Sequence, residues 1–229
     1  MREFFKPHSV AVIGASDKPG KVGRVVLENL IDSGYPGDIY PVNPRDAEIL
    51  GRKSYPSVLD LPERPDLAVI IVPAPAVPGI VEECGRRGIT RLAIPSGGFE
   101  EFTAGGSGLR DALVAAARRH GIRFVGPNCL TVINAHTGLC LPFVPIPPDL
   151  PRGGVSMVAQ SGGIGLDFLA RLKDENTGFA KFVSIGNKTD LDEVDYLSYL
   201  GRDPATRVIC MYLEDVERGR ALLETARGI

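Results

Sequence analysis

The amino-acid sequence predicts an α/β protein: a doubly wound parallel sheet followed by a second, smaller α/β unit. Three observations carry this reading. Short runs rich in β-branched residues alternate with apolar residues at helical spacing, the pattern of βα units stacked into a parallel sheet. Glycine clusters recur where a strand-like run gives way to a helical one. The alternation lapses once, between Cys129 and Gly153, and then resumes.

The first strand is "SVAVIG", after which Val22, Val25, Val26 and Leu30 repeat at helical spacing. The stretch "VAVIGASDKPGKVG" is therefore a strand-to-helix turn, where unpaired N–H groups and the positive end of the helix dipole favour an anion such as a pyrophosphate. It fits neither of two well-known signatures. The dinucleotide fingerprint begun at Gly14 needs glycine where Ser16 and Pro19 stand, and the P-loop needs Ser or Thr where Val22 follows Lys21. A plain glycine-rich turn with no ligand is the competing reading of this stretch taken alone.

Further strands are "DIYPVN", "LAVIIVP", "RLAIPS" and "RFVGPN", separated by helical patterns near 20–33, 76–87 and 106–120. Residues 1–130 make the first domain. Over 131–150 the prolines and scattered apolar residues predict an extended crossing or hairpin leading to a linker, with the boundary near Pro151. From there "VSMVAQ", a helix from Gly162, "AKFVSIG", a helix from Leu191, "RVICMYLE" and a helix from about Val216 give three βα units over 151–229. A parallel sheet of three strands leaves an open edge, so this half is expected to associate into an oligomer or be covered by a partner.

The chain has 229 residues, 44% of them hydrophobic, and a net charge of −2. Charges of both signs are interspersed, which argues against nucleic acid as a partner. The longest apolar stretch, "LAVIIVPAPAVPGIV", is proline-broken and too short to span a bilayer, and "MREFFKPHSV" does not read as a signal peptide. A cytoplasmic location is expected. Cys84, Cys129, Cys140 and Cys210 form no C-x-x-C pair, so they read as reduced, packed thiols, and no metal site is expected.

In open α/β sheets ligands bind beyond the carboxyl ends of the strands. After the second strand, where an acidic residue would read the ribose of NAD, stand Asn43, Pro44 and Arg45. A guanidinium there suits a phosphate monoester, as on NADP or coenzyme A. After the third strand, Pro73, Pro75 and Pro78 in "VPAPAVP" stiffen the backbone and offer a flat apolar surface. Gly97 and Gly98 in "PSGGFEE" permit close approach of a ligand to the backbone, and the fifth strand ends in "GPNCL".

Taken in order, "VAVIGAS", "PGKVG", "YPVNP", "VPA", "SGGFEE", "GPNCL", "AQSGG", "SIGNK" and "YLED" resemble the CoA-binding half of the NDP-forming acyl-CoA synthetases, relatives of the succinyl-CoA synthetase α subunit. The resemblance implies a Rossmann-like CoA-binding domain and an incomplete flavodoxin-like one. It implies a ligase that makes acyl-CoA from an acid, CoA and ATP, through an acyl phosphate and a phosphohistidine. Coenzyme A would lie against Gly14, Ala15, Ser16, Lys21 and Val22, with Asn43 and Arg45 near its 3′-phosphate, and against Val72, Pro73, Ala74, Ser96, Gly97 and Gly98. Ser161, Gly162 and Gly163 would bind phosphate at a helix start, Glu214 would orient the histidine, and Asn128 would line the path of the acyl group. ATP, ADP and magnesium would reach the site only through an ATP-grasp subunit or downstream domain, and the other partner is a small carboxylic acid or acyl-CoA.

The resemblance places the phosphorylated histidine on a loop downstream of the third βα unit of the second domain, beyond Ile229. His8, His120 and His136 do not replace it, so this stretch taken alone is expected to bind without turnover. The alternative is a non-catalytic CoA- or NADP-binding regulatory module. Ser161 as a simple helix cap, Glu214 as a solvated acid and Cys129 as a packed thiol are the competing readings of single residues.

Overall fold

The computed structural model describes residues 1–99 and 106–229; Glu100 and Glu101 of the "SGGFEE" stretch lie outside the described residues. The chain begins with α1 (Arg2–Phe5), β1 (Ser9–Ile13), α2 (Val22–Asp32) and β2 (Asp38–Val42). A small hairpin, β3 (Glu48–Ile49) and β4 (Arg52–Lys53), precedes β5 (Leu67–Ile70), α3 (Val77–Arg86), β6 (Arg91–Ala93), α4 (Gly106–Arg119) and β7 (Arg123–Val125). The five main strands form a wholly parallel sheet in the order β2-β1-β5-β6-β7. The strand order reverses between β1 and β5, the place in such a sheet where a crevice opens.

The chain continues with β8 (Thr131–Asn134), β9 (Leu139–Cys140), β10 (Arg152–Ala159), α5 (Gly162–Asp174), β11 (Phe179–Ser184), α6 (Glu193–Leu200), β12 (Val208–Tyr212) and α7 (Gly219–Arg227). The second sheet has the order β12-β10-β11-β8-β9, with β10 parallel to both neighbours and β8 antiparallel to β11. This corrects one expectation: the sheet is not limited to three strands, because the β8–β9 hairpin adds two strands beside β11. All four residues of β8 are buried, and Asn134 donates from Nδ2 to Phe5 O at 2.8 Å.

The two sheets share core. One apolar cluster runs from Val10, Val12, Leu27 and Leu30 to Val132, Val158, Val183 and Tyr196. Phe4 and Phe5 on α1, an element the periodicity did not reveal, join it. The Phe5 ring stacks on Tyr199 at 4.9 Å and meets Tyr196 edge-on at 6.2 Å. Burying such rings stabilises each by roughly 1.5–3 kcal/mol, so the first helix fastens the second half to the first.

Candidate functional site

The first cleft lies at the β1/β5 reversal. Gly14 ends β1 with φ +89°, and a Cβ there would stand 2.0 Å from Ile71 O. Gly23 in the first turn of α2 is equally forced, since its Cβ would stand 2.0 Å from Gly14 O. The two glycines bring the helix start hard against the strand end, the task that the dinucleotide fingerprint gives to its own glycines. Gly23 was not singled out in the sequence, although it closes the quoted stretch. Lys21 is the N-cap of α2 and its side chain makes no capping bond. Asn43 ties the end of β2 to the turn: Nδ2 donates to Ala15 O at 2.7 Å, and Oδ1 accepts from Arg45 N at 2.8 Å. Ser16 Oγ accepts from Lys18 N at 3.2 Å, and the Arg45 side chain is exposed.

Lys21, Val22, Val72, Pro73, Ser96 and Gly97 line this cleft of about 550 Å³ together with Asn128 and Phe143. The Ser96 hydroxyl lies 2.6 Å from Val72 O and 3.1 Å from Ile70 O, so it braces the end of β5. The other expected CoA contacts do not line it. Gly14, Ala15, Ser16, Asn43 and Arg45 build the neighbouring turn, Ala74 is buried, and Gly98 packs toward Ala74.

The second cleft, about 520 Å³, opens at the carboxyl ends of β10, β11 and β12. Ser161 caps α5 by accepting from Ile164 N at 3.5 Å. Gly162 stands where a Cβ would be 2.9 Å from Leu130, whereas a Cβ on Gly163 would meet nothing closer than 3.9 Å. The helix start therefore presents backbone, with little side chain over it, to the cleft. Glu214 lines the cleft and is exposed, so its carboxylate is available to a partner group.

A polar network holds the Glu214 loop. Gln160 Oε1 accepts from Glu214 N at 2.9 Å and from Asp215 N at 3.3 Å, while Gln160 Nε2 donates to Asp215 Oδ1 at 2.5 Å. Lys188 Nζ donates to Asp215 O at 2.8 Å and pairs with Asp215 at 3.2 Å and with fully buried Glu193 at 3.1 Å. Burial pulls the Lys188 ammonium down, but the bonds to Glu193 and Asp215 outweigh it and leave the group above its ordinary range. The Gln160 bond, followed by Lys188, holds Asp215 below the usual carboxylate range. Gln160, Lys188 and Asp215 lie in "AQSGG", "SIGNK" and "YLED", stretches that carry the resemblance, but no role was read for them; only contact across strand ends reveals it.

The clefts meet at Asn128 and Phe143, which line both. Asn128 adopts φ +57°, donates its N–H to Ser96 O at 3.0 Å and donates Nδ2 to Asn187 Oδ1 at 3.3 Å. Asn187 N and Thr189 N donate to Pro127 O and Gly126 O at 3.0 and 3.1 Å. A Cβ on Gly186 would stand 2.3 Å from Asn128 O. The "GPNC" and "SIGNK" loops are thus pressed together, and the two clefts keep a fixed relation. Cys129 is fully buried, donates to Ile94 O at 3.5 Å, and burial pushes its thiol up to about 12. It is a packed thiol. The histidines lie elsewhere: His120 Nε2 is 2.8 Å from Glu82, His136 Nε2 is 2.9 Å from Gly153 O, and His8 precedes β1.

A parallel sheet with a glycine-shaped helix start at its reversal, abutting a second sheet with a glycine-opened helix start, defines a two-cleft α/β protein whose helix starts are of the kind that suits anions. Residues 8–135 match the CoA binding domain family, and the chain belongs to it. Residues 152–229 match the succinyl-CoA ligase like flavodoxin domain. The chain is 44% identical, over its whole length and 33% of the relative's, to ADP-forming acetate–CoA ligase I of Archaeoglobus fulgidus. It is 42% identical to the α subunit of ADP-forming acetate–CoA ligase I of Pyrococcus furiosus, covering all of this chain and 50% of that one. Among solved structures, the dinucleotide forming acetyl-coenzyme A synthetase 1 of Ca. Korarchaeum cryptofilum, in complex with phosphate and ADP, superposes with a TM-score of 0.93 at 39% identity. That match covers 98% of this chain and 48% of the other. The chain spans a third to a half of the length of these relatives.

Proposed function

We propose that this chain is the CoA-binding, phosphate-presenting part of an ADP-forming acyl-CoA synthetase, which converts an acid, CoA and ATP to acyl-CoA, ADP and phosphate. The observation that carries it is the sharing of Asn128 by both clefts: a ligand laid along the first cleft delivers its far end to the second. Coenzyme A fits the residues present. Gly14 and Gly23 leave backbone where a Cβ would block the turn, and Lys21 stands at the start of α2 without a capping bond. The apolar wall of Val22, Val72 and Pro73 suits the uncharged pantetheine arm. Arg45 would meet the adenosine 3′-phosphate, and Asn128 would orient the acyl group. When bound, CoA supplies the thiol that takes the acyl group.

In the second cleft, the start of α5 at Ser161, Gly162 and Gly163 would hold the phosphoryl group by N–H donation and dipole. Glu214 would accept from the imidazole of a phosphorylatable histidine and fix its orientation. ATP, ADP and magnesium belong to an ATP-grasp subunit or domain. A cytoplasmic site of action fits four unpaired thiols, and among the described residues no helix is long and apolar enough to cross a membrane.

Two measurements test this reading. Calorimetric titration of the chain should show binding of CoA; binding of NADPH without CoA would overturn it. Residues 1–229 alone, given ATP, magnesium, a short acid and CoA, should form no acyl-CoA; joined to the downstream sequence that carries the histidine loop, and to an ATP-grasp subunit if that sequence does not encode one, they should. In that complete enzyme Glu214→Gln should sharply reduce phosphoenzyme formation and leave CoA affinity unchanged.

A further inference from the structure

The segment Pro142–Ile146 crosses between the clefts with an unusual support. It follows β9 and reads "PFVPI", so the prolines at 142 and 145 have no N–H and the strand ladder of the sheet does not continue through it. Backbone groups excluded from solvent must find partners, and here one side chain supplies three. Asn29 on α2 is buried. Its Nδ2 donates to Pro142 O and to Val144 O, both at 2.8 Å, and its Oδ1 accepts from Ile146 N at 3.1 Å. Two carbonyls need the amide nitrogen and one N–H needs the oxygen, so the amide has a single orientation that serves the segment. No reading of the sequence assigned Asn29 a role.

What this clamp positions is Phe143. Its ring is half-buried and lines both clefts, and the second cleft is otherwise walled on its apolar side by Leu130, Val144 and Leu166. We propose that Phe143 is the residue that sets how large an acyl group the synthetase accepts, and that Asn29 is a positioning residue that fixes Phe143 through the clamped segment. The proposal rests on the functional reading above, in which CoA lies in the first cleft and its acyl end reaches the second. An aromatic ring between the two clefts then bounds the space beyond the thioester. Asn29 touches no reacting atom. Because α2 also begins at the turn beside the first cleft, the clamp ties the acyl wall to the helix that would hold the CoA phosphates.

The test is calorimetric titration of this chain with CoA, acetyl-CoA, butyryl-CoA and phenylacetyl-CoA, with each acyl-CoA affinity divided by that of free CoA in the same variant. Division removes any general effect of Phe143 on CoA itself. Phe143→Ala should move the ratio toward phenylacetyl-CoA by about tenfold, the scale at which a hydrophobic pocket discriminates by size. Asn29→Ala should move it the same way and by less, and Asn29→Asp, whose buried carboxylate would face the Pro142 and Val144 carbonyls, should move it at least as far as Asn29→Ala. In the complete synthetase the same substitutions should change KM for the acid across the chain-length series more than kcat for acetate. If the native chain binds CoA and Phe143→Ala leaves every ratio unchanged, the wall is refuted while the functional reading stands. A folded Asn29→Ala with unaltered ratios refutes the positioning role even if Phe143→Ala shifts them. If the native chain binds no CoA, the functional reading fails and this inference falls with it.

Discussion

The turn after β1 and the loop after β12 both present groups to a cleft at the carboxyl end of a parallel strand, yet different forces hold them. The first is shaped by exclusion. At Gly14 and Gly23 backbone stands within 2.0 Å of where a side chain would begin, and neutral hydrogen bonds through Asn43 complete the turn. The second is held by charge, through a chain from buried Glu193 to Lys188, Asp215 and Gln160 that ends on the backbone of Glu214. In the proposed reading the first turn receives phosphate, which calls for bare N–H groups, and removing side chains supplies them. In that reading Glu214 orients an imidazole, which needs a loop that cannot drift, and the ionic and charge-assisted bonds of Lys188, Asp215 and Gln160 hold that loop.

The largest effect is expected from Lys188→Met. It leaves the Glu193 carboxylate fully buried without its cation, and unfolding free energy should fall by about 3–5 kcal/mol in urea titrations. Adding Glu193→Leu should recover most of that. A loss below about 1 kcal/mol in the single variant would mean that the network is not what holds the loop.

Glycines sharpen the contrast. Gly14→Ala should destabilise the chain by about 1–3 kcal/mol through its backbone conformation alone, and should abolish CoA binding as the turn shifts away from Ile71 O. Gly163→Ala brings its Cβ only to ordinary contact with Ser161 Oγ at 3.9 Å, so stability should change by no more than about 1 kcal/mol, in either direction. Phosphoenzyme formation in the complete enzyme should nevertheless fall as the methyl group covers the helix start.

At the first cleft, CoA should bind at least about tenfold more tightly than dephospho-CoA, since a charge-assisted phosphate contact contributes roughly 1.5–3 kcal/mol. Equal affinities would remove Arg45 from the site.

The smallest effect is on pH. Asp215 is held low by Gln160 and Lys188; Asp203 and Asp192 are raised by burial but held low on balance by Lys181 with Thr206 and by Arg218 respectively. A carboxylate whose folded pKa is depressed contributes stability above its unfolded value, here the ordinary 3.8, and loses it as pH falls through the folded value. Hydrogen exchange on acidification should therefore rise in β10 and β12 before it rises in β1 and β5. The reverse order would show that charge does not distinguish the two halves.

Much of this was legible in the sequence, for reasons that follow the same division. Strands with β-branched runs and glycines at strand ends are local signals, and β1, β5 and the starts of α2 and α5 are where those signals place them. Features that depend on long-range partners were not legible. Phe4 and Phe5 look like a charged, irregular start until Tyr196 and Tyr199 cover them. A hairpin was legible near Thr131 and Asn134, but not that it is fully buried beside β11, and nothing adjacent to Asn29 in sequence announces a bond to Val144. The resemblance supplied Glu214, but the residues that hold its loop emerged only from contact.

The proposed function requires the two clefts to be one site joined at Asn128. A crystal structure of the chain with CoA tests it most directly. The pyrophosphate is expected at the turn between Gly14 and Val22, the 3′-phosphate within hydrogen-bond reach of Arg45, and the thiol beside Asn128 and Phe143. A CoA molecule whose thiol points away from Asn128, with its phosphates off the α2 start, would contradict it.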